Sequence, residues 1–216
     1  MTNPTKTNEK SGEIQPSKLS FKHMIKYLIL TLFRWRNISL VKCFPRPFDK
    51  FLKVRYGNKS IIGAEIGVLA GEHASFMNKY LNIKKFYLVD SYIESDDFSQ
   101  DFLNKAKIKA KNKLPGGNII WIEKKSTQAV LEIKDKLDFI YIDSDHTYQY
   151  VKQEIEKYYP LVNKGGILGG HDFFSFEAGN YIVPENYGVV EAVLEFITNN
   201  KLKLWIGKYG EWWIIK

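Results

Sequence analysis

The residues able to do chemistry gather at four places. One is Asp143-Ser144-Asp145-His146, which ends the apolar run Phe139–Ile142, and a second is His171-Asp172, which ends a run containing Ile167 and Leu168. A third is the spaced set Glu65-x-Gly67-x-x-x-Gly71, and a fourth is Asp90, which ends the run Lys85–Val89. Carboxylates beside imidazoles can remove a proton near neutral pH. Asp143, His171 and Asp172 also form an oxygen-rich, partly imidazole set suited to Mg²⁺ or Mn²⁺. The plainer alternative is that His171 and Asp172 cap a strand end while Asp145 caps the helix that follows it. Both readings stay open at this level.

These residues need elements that bring them to one place. Between the two apolar runs, Tyr148, Val151, Ile155 and Tyr158 recur at helical spacing, and Gly165-Gly166 reads as the stop. A strand, a crossover helix and a parallel strand connect right-handedly, so Asp143 must emerge at the same sheet edge as His171 and Asp172. Open α/β sheets bind their ligands at that edge. Further upstream, Ile61 onward reads as a buried strand, a glycine turn and a helix beginning near Gly71. Glycines at such a turn let a ligand approach the backbone closely. Glu72 at the helix N-terminus would repel a pyrophosphate, and the third glycine of a dinucleotide site is missing, which argues against a nicotinamide oxidoreductase. The turn suits a ligand without phosphate.

Asp90 follows the glycine turn at the interval where an acid can accept both hydroxyls of a ribose; it could equally cap a helix. A lysine-rich helix over 97–112 presents a solvated face. Ser126 opens a short helix after the next strand, where a hydroxyl caps or faces a base. The aromatic loop Phe173–Gly188 carries Phe173, Phe174, Phe176, Tyr181 and Tyr187, which could wall a pocket or cover the core. A helix from Val189 and two strands about Lys208-Tyr209-Gly210 close the chain.

Taken together, Glu65 through Gly71, Val89-Asp90-Ser91-Tyr92, Ile142-Asp143-Ser144-Asp145-His146-Thr147-Tyr148 and Gly165-Gly166 through His171-Asp172 resemble the class I S-adenosylmethionine-dependent methyltransferases. Within them the resemblance is to the group with D-x-D-H-x-Y and G-G-x-x-x-x-H-D motifs, and it spans residues 61–216. It implies a Rossmann-like α/β fold: a seven-stranded, mostly parallel sheet with helices on both faces and an antiparallel strand from the terminal hairpin. It also implies that Glu65, Gly67 and Gly71 hold the methionine part of S-adenosylmethionine, Asp90 with Ser91 the ribose, and Ser126 or its neighbours the adenine, with Asp143 alongside. The expected reaction is O-methylation of a sugar, glycan or other small polar metabolite, with Asp143, His146, His171 and Asp172 around the acceptor. Metal-dependent relatives often carry Asp-Asp or Asp-Asn where this chain has His171-Asp172, so a need for Mg²⁺ or Mn²⁺ stays open.

The whole chain of 216 residues carries a formal charge of +8. Residues 1–60 hold thirteen Lys and Arg against three acids, which leaves −2 on residues 61–216. The domain itself therefore lacks the charge for a general grip on nucleic-acid phosphates. Residues 1–20 are polar and read as a disordered leader; residues 21–60 read as a basic amphipathic helical extension, and residues 61–216 as the catalytic domain. The apolar stretch Tyr27–Phe33 is too short to span a bilayer. The segment 21–44 either packs on the domain or lies on an anionic membrane surface or partner. One cysteine, Cys43, points to a reducing, cytoplasmic setting. The basic leader keeps an RNA or protein acceptor as the alternative, next to a non-catalytic module that retains the cofactor pocket. Oligomeric state has no signal.

Overall fold

The computed structural model describes residues 45–95, 98–177, 180–182 and 188–216, with no side-chain detail for 175–177 and 180–182. The elements in order are α1 (Pro47–Tyr56), β1 (Ile61–Ile66), α2 (Glu72–Tyr80), β2 (Ile83–Val89), α3 (Gln100–Lys113), β3 (Ile119–Ile122) and α4 (Ser126–Ala129). Then come β4 (Leu137–Ile142), α5 (Tyr148–Tyr158), β5 (Val162–Gly170), a small hairpin of β6 (Ser175–Glu177) and β7 (Asn180–Ile182), α6 (Val189–Asn200), β8 (Leu204–Ile206) and β9 (Trp212–Ile215).

Seven strands form one sheet in the order β3-β2-β1-β4-β5-β9-β8. The first five are mutually parallel, and β9 runs antiparallel to both its neighbours. This is the expected Rossmann-like sheet with its terminal hairpin strand. Apolar residues alternate between its faces as a strand period of two demands. Ile140, Ile142 and Leu168 pack with Val151, Ile155 and Val193 on the α5–α6 side. Phe139, Tyr141 and Ile167 pack with Phe48, Leu52, Ala74 and Met77 on the α1–α2 side.

Three local outcomes differ from expectation or add to it. The helix after β4 is ended by Pro160, within a 3-10 turn over Tyr159–Leu161, because proline clashes with the helical carbonyl four residues back. Gly165 and Gly166, read as the stop, lie inside β5, where the register with β4 slips and Gly165 adopts φ +78°. Helix α1, read as part of the extension, shares the domain core, with Phe48 and Leu52 fully buried. The expected segments 1–20 and 21–44 lie outside the described residues. Of the aromatic loop, Phe173 and Phe174 are buried core residues; the side chains of Phe176, Tyr181 and Tyr187 lie outside the described set.

Sheet register builds the site. Val89 pairs with Ile66, Ile66 with Ile142, Ile142 with Gly170, and Gly170 with Trp212. The next residue along each parallel strand, together with the residue before β9, forms one row across the carboxyl edge: Asp90, Gly67, Asp143, His171 and Glu211.

Candidate active site

At the β1–β2 end of this row, Asp90 pins the glycine turn. Its Oδ2 accepts from the backbone N–H groups of Val68 (3.0 Å) and Leu69 (2.8 Å), and its Oδ1 from Tyr92 N–H (2.9 Å). Leu69 and Tyr92 both hold φ +48°, a conformation costly for non-glycine residues that three bonds to one carboxylate stabilise. A carboxylate has about four acceptor positions, so Asp90 keeps one for a further donor. Gly67 has φ +87°, and a Cβ there would lie 2.0 Å from the Asp143 carbonyl oxygen. Glycine at 67 is thus required twice over, by conformation and by the close approach of β4. Ser91 follows Asp90 and is half-buried. Gly71, with φ +72°, turns the chain into α2, where Glu72 is a first-turn acid paired with Lys109 (2.9 Å) and Lys113 (2.6 Å).

Glu65, at the penultimate position of β1, is buried. Its Oε1 lies 3.4 Å from His73 Nδ1 on α2, and His73 Nε2 lies 3.1 Å from Asp49 Oδ1 on α1. Burial pushes the Glu65 carboxyl up, opposed by the charge and hydrogen bond of His73. Burial lowers the His73 pKa, but the Glu65 charge and the Asp49 hydrogen bond outweigh it and raise the imidazole to about 9. The other Glu65 oxygen, Oε2, is buried without a hydrogen-bond partner among the described residues.

At the β4–β5 end stand the acids and imidazoles. Asp172 takes φ +55° and so turns back toward the row. His146 Nε2 lies 2.7 Å from Asp172 Oδ2, and His171 Nδ1 lies 3.0 Å from Asp172 Oδ1 and 3.9 Å from Asp143 Oδ1. Burial opposes ionisation of Asp172, yet the two imidazoles hold it well below the usual carboxylate range. Burial likewise opposes the charge on His146 and His171, and Asp172 outweighs it, so both are raised. One ligand atom each from Asp143, His146 and Asp172 falls within a 4.8 Å cluster. The compact trio therefore takes His146 where the sequence suggested His171, because the turn before α5 brings residue 146 back over the edge.

Ser126 opens α4, and Ser144 Oγ, in the turn after β4, donates to a carboxylate oxygen of Glu154 at 2.6 Å. Burial pushes the Glu154 carboxyl up to about 7, opposed by the nearby Ser126 and Ser144 hydroxyls. Glu154 thereby holds the turn after β4, while Tyr158 on the same helix ties down the short helix after β3, its Oη donating to the Ser126 carbonyl at 2.8 Å. Sequence patterns gave no hint of Glu154, nor of Asp49, His73, Arg46, Tyr141 and Glu211, which surround the row from the α1 side. Asp145, which the plain reading made the cap of the following helix, instead closes the turn before it: its Oδ1 accepts from Thr147 N–H (2.7 Å), and Thr147, at the N-cap position, makes no side-chain cap bond.

Residues 64–173 match the Methyltransf_24 family model, described as a methyltransferase domain. An uncharacterized protein of Acanthamoeba polyphaga mimivirus is 30% identical over 125 residues, which is 56% of this chain and 55% of the viral protein. The matched region thus spans about half of that relative. Among solved structures, one described as a caffeoyl-CoA O-methyltransferase from Staphylococcus aureus superposes with TM-score 0.61 at 14% identity, over 91% of this chain and 92% of its own. The MycE methyltransferase, solved with Mg, SAH and mycinamycin VI, gives 0.53 at 13% identity over 82% and 50%. An rRNA methylase from Streptococcus thermophilus gives 0.53 at 14% over 80% and 96%. At such identities these likenesses concern the fold.

Proposed function

Because this chain belongs to that methyltransferase family, we propose that it transfers a methyl group from S-adenosylmethionine to a hydroxyl of a sugar, glycan or other small polar acceptor. The observation that carries the reading is the His146–Asp172–His171 cluster, half-exposed beside Asp143 and one strand away from the glycine turn. The residues at the turn suit the cofactor. Asp90 retains an acceptor position for a ribose hydroxyl, Glu65 keeps an oxygen with no hydrogen-bond partner among the described residues, and Gly67 and Ser91 stand beside them at the strand ends. When bound, S-adenosylmethionine supplies an electrophilic methyl group on a sulfonium sulfur.

The chain's own work is to align an acceptor oxygen at the β4–β5 end and take its proton. A sugar hydroxyl is a weak nucleophile until that proton leaves. His146 and His171 are the bases available, and Asp172 orients both rings and stabilises the imidazolium that forms. With the shared proton on His146 Nε2 toward Asp172, Nδ1 is that ring's basic nitrogen. A second reading rests on the Asp143–His146–Asp172 trio: a bound Mg²⁺ or Mn²⁺ there would acidify the acceptor hydroxyl directly. Under that reading Asp143, His146 and Asp172 are ligands, and His171 holds Asp172 in place.

The test is isothermal titration of the chelated protein with S-adenosylmethionine and S-adenosylhomocysteine, repeated with added Mg²⁺ or Mn²⁺. Micromolar binding of both nucleosides supports the donor site. A metal heat that disappears in Asp143→Ala favours the cation; turnover unaffected by chelation favours the imidazole base. Binding of neither nucleoside would sink the methyltransferase reading. A chain lacking residues 1–44 addresses the acceptor: retained turnover fits a small molecule, whereas loss of salt-dependent affinity would point to RNA.

A further inference from the structure

Helix α1 carries a second face besides the buried one. Phe48 and Leu52 point into the core, and the outward stripe presents Lys50 and Val54, one helical turn apart, to solvent. Val54 is 86% exposed, more than any other large apolar side chain among the described residues. The stripe continues on both sides. Toward α2, Lys53 lies over the Tyr80 ring, 5.9 Å from its centroid, and the neighbouring Lys79 is exposed. Toward the sheet edge, the Phe51 ring meets Trp205 of β8 at 6.4 Å between centroids, and Lys203 lies 5.1 Å over that indole. Helix α2, helix α1 and the edge strand β8 thus form one continuous surface.

The charge of this surface is one-sided. Lys50, Lys53, Arg55, Lys79 and Lys203 make no ion pair with a described residue; Lys53 and Arg55 hydrogen-bond to the Asn58 side chain and the Gly165 carbonyl, both neutral. The acids of the same segments are out of reach. Asp49 and Glu65 are buried, residues 196–210 contain no acid, and Glu72 is held by Lys109 and Lys113. Lysine density alone would not single this surface out, because α3 is just as rich. Every α3 lysine from Lys105 to Lys113, however, pairs with Asp101, Glu123 or Glu72. Cations without acid partners around a protruding aliphatic group fit an anionic lipid surface, whose headgroups neutralise the lysines while their stems and the aliphatic group enter the headgroup layer. A single-stranded nucleic acid fits less well: it would need open ring faces for its bases, and lysines already cover Tyr80 and Trp205. The chain also enters the fold at this surface. Residues 21–44, which lead toward α1, hold five Lys and Arg and no acid around the apolar stretch Tyr27–Phe33.

We propose that the face running from α2 across α1 to β8 docks the domain on an anionic phospholipid surface. The test takes the full chain with phosphatidylcholine vesicles made with and without phosphatidylserine, read by co-sedimentation. Binding should require phosphatidylserine and weaken as salt rises. Combining Lys50→Glu, Lys53→Glu and Lys203→Glu should weaken it by about tenfold or more, with thermal unfolding as the check on the fold. A second readout does not depend on that triple variant. With Cys43→Ser removing the native thiol, an environment-sensitive fluorophore attached through Val54→Cys should shift to the blue on phosphatidylserine vesicles. The same label attached through Leu131→Cys, which is exposed in a segment packed on the α5–α6 side, should not shift. Unchanged affinity in the triple variant, or a silent label at residue 54, would overturn the proposal and leave vesicle binding to residues 1–44. Full-chain protein that ignores both kinds of vesicle would overturn it as well. If that protein instead bound poly(U), and the triple variant lost this binding, the face would belong to a nucleic acid.

Discussion

Two clusters in this molecule are built from the same groups, imidazoles paired with carboxylates, and both stand at the carboxyl edge of the sheet. In the first, Asp49, His73 and Glu65 are 0%, 5% and 2% exposed, locked between α1, α2 and β1. In the second, Asp172 joins His146 and His171, and His146 is 32% exposed. The buried cluster trades charge against burial and ties two helices to the sheet; the open cluster can meet a substrate. Residue type alone would nominate both as catalytic. Access separates them, since a base must reach the proton it removes.

The largest expected contrast is in stability. Asp49→Ala leaves a protonated imidazole buried beside Glu65 and should cost about 3–5 kcal/mol in urea unfolding, as breaking a buried ion pair does. Asp172→Asn keeps a residue tolerant of positive φ but weakens two charge-assisted bonds in a partly exposed cluster, and should cost less, about 1–3 kcal/mol. Comparable losses from the two would erase the distinction between the clusters. Activity should invert the ranking. His146→Ala is expected to lower turnover by about 10²–10⁴-fold, read as S-adenosylhomocysteine release with a panel of hydroxylated acceptors, while the melting temperature stays close to wild type. Phe48→Ala, on the helix that anchors the buried cluster, should destabilise by about 3–5 kcal/mol.

The smallest effect is a tilt with pH. His73 titrates at about 9 when folded against 6.5 ordinarily, and Glu211 at about 7 against 4.5. Both folded values are raised, so the folded state holds these protons more tightly. Their stabilising contribution is complete below about pH 4.5 for Glu211 and 6.5 for His73, and it fades as pH rises through about 7 and 9. Thermal unfolding between pH 5 and 9 should show declining stability, and Glu211→Gln should flatten the part below pH 7. A flat wild-type profile would mean that burial of this network is compensated elsewhere.

Much of the open cluster was readable in the linear order. Asp143 and His171 each follow an apolar run, and right-handed parallel connection puts the ends of such runs at one edge. What could not be read was which imidazole completes the compact trio, because that depends on how the Asp145–Thr147 turn folds back, and on the positive φ of Asp172. The stop of α5 was misassigned for a similar reason: Gly165-Gly166 and Pro160 both break helices, and only the pairing of Leu137 with Val162 reveals that the strand has already begun between them.

The sequence by itself determined the alternation of strand and helix, the row of acids at strand ends, and the glycine turn after β1, since each follows from periodicity or chemistry within a few neighbouring residues. Tertiary structure alone decided that α1 belongs to the core, that its Asp49 meets His73, and that Arg46 meets Tyr141 and Asp143. Asp49 and His73 lie 24 residues apart along the chain, and Arg46 and Tyr141 lie 95 apart. Packing of two helices on one face of the sheet brings them together, and no local pattern encodes contacts of that range.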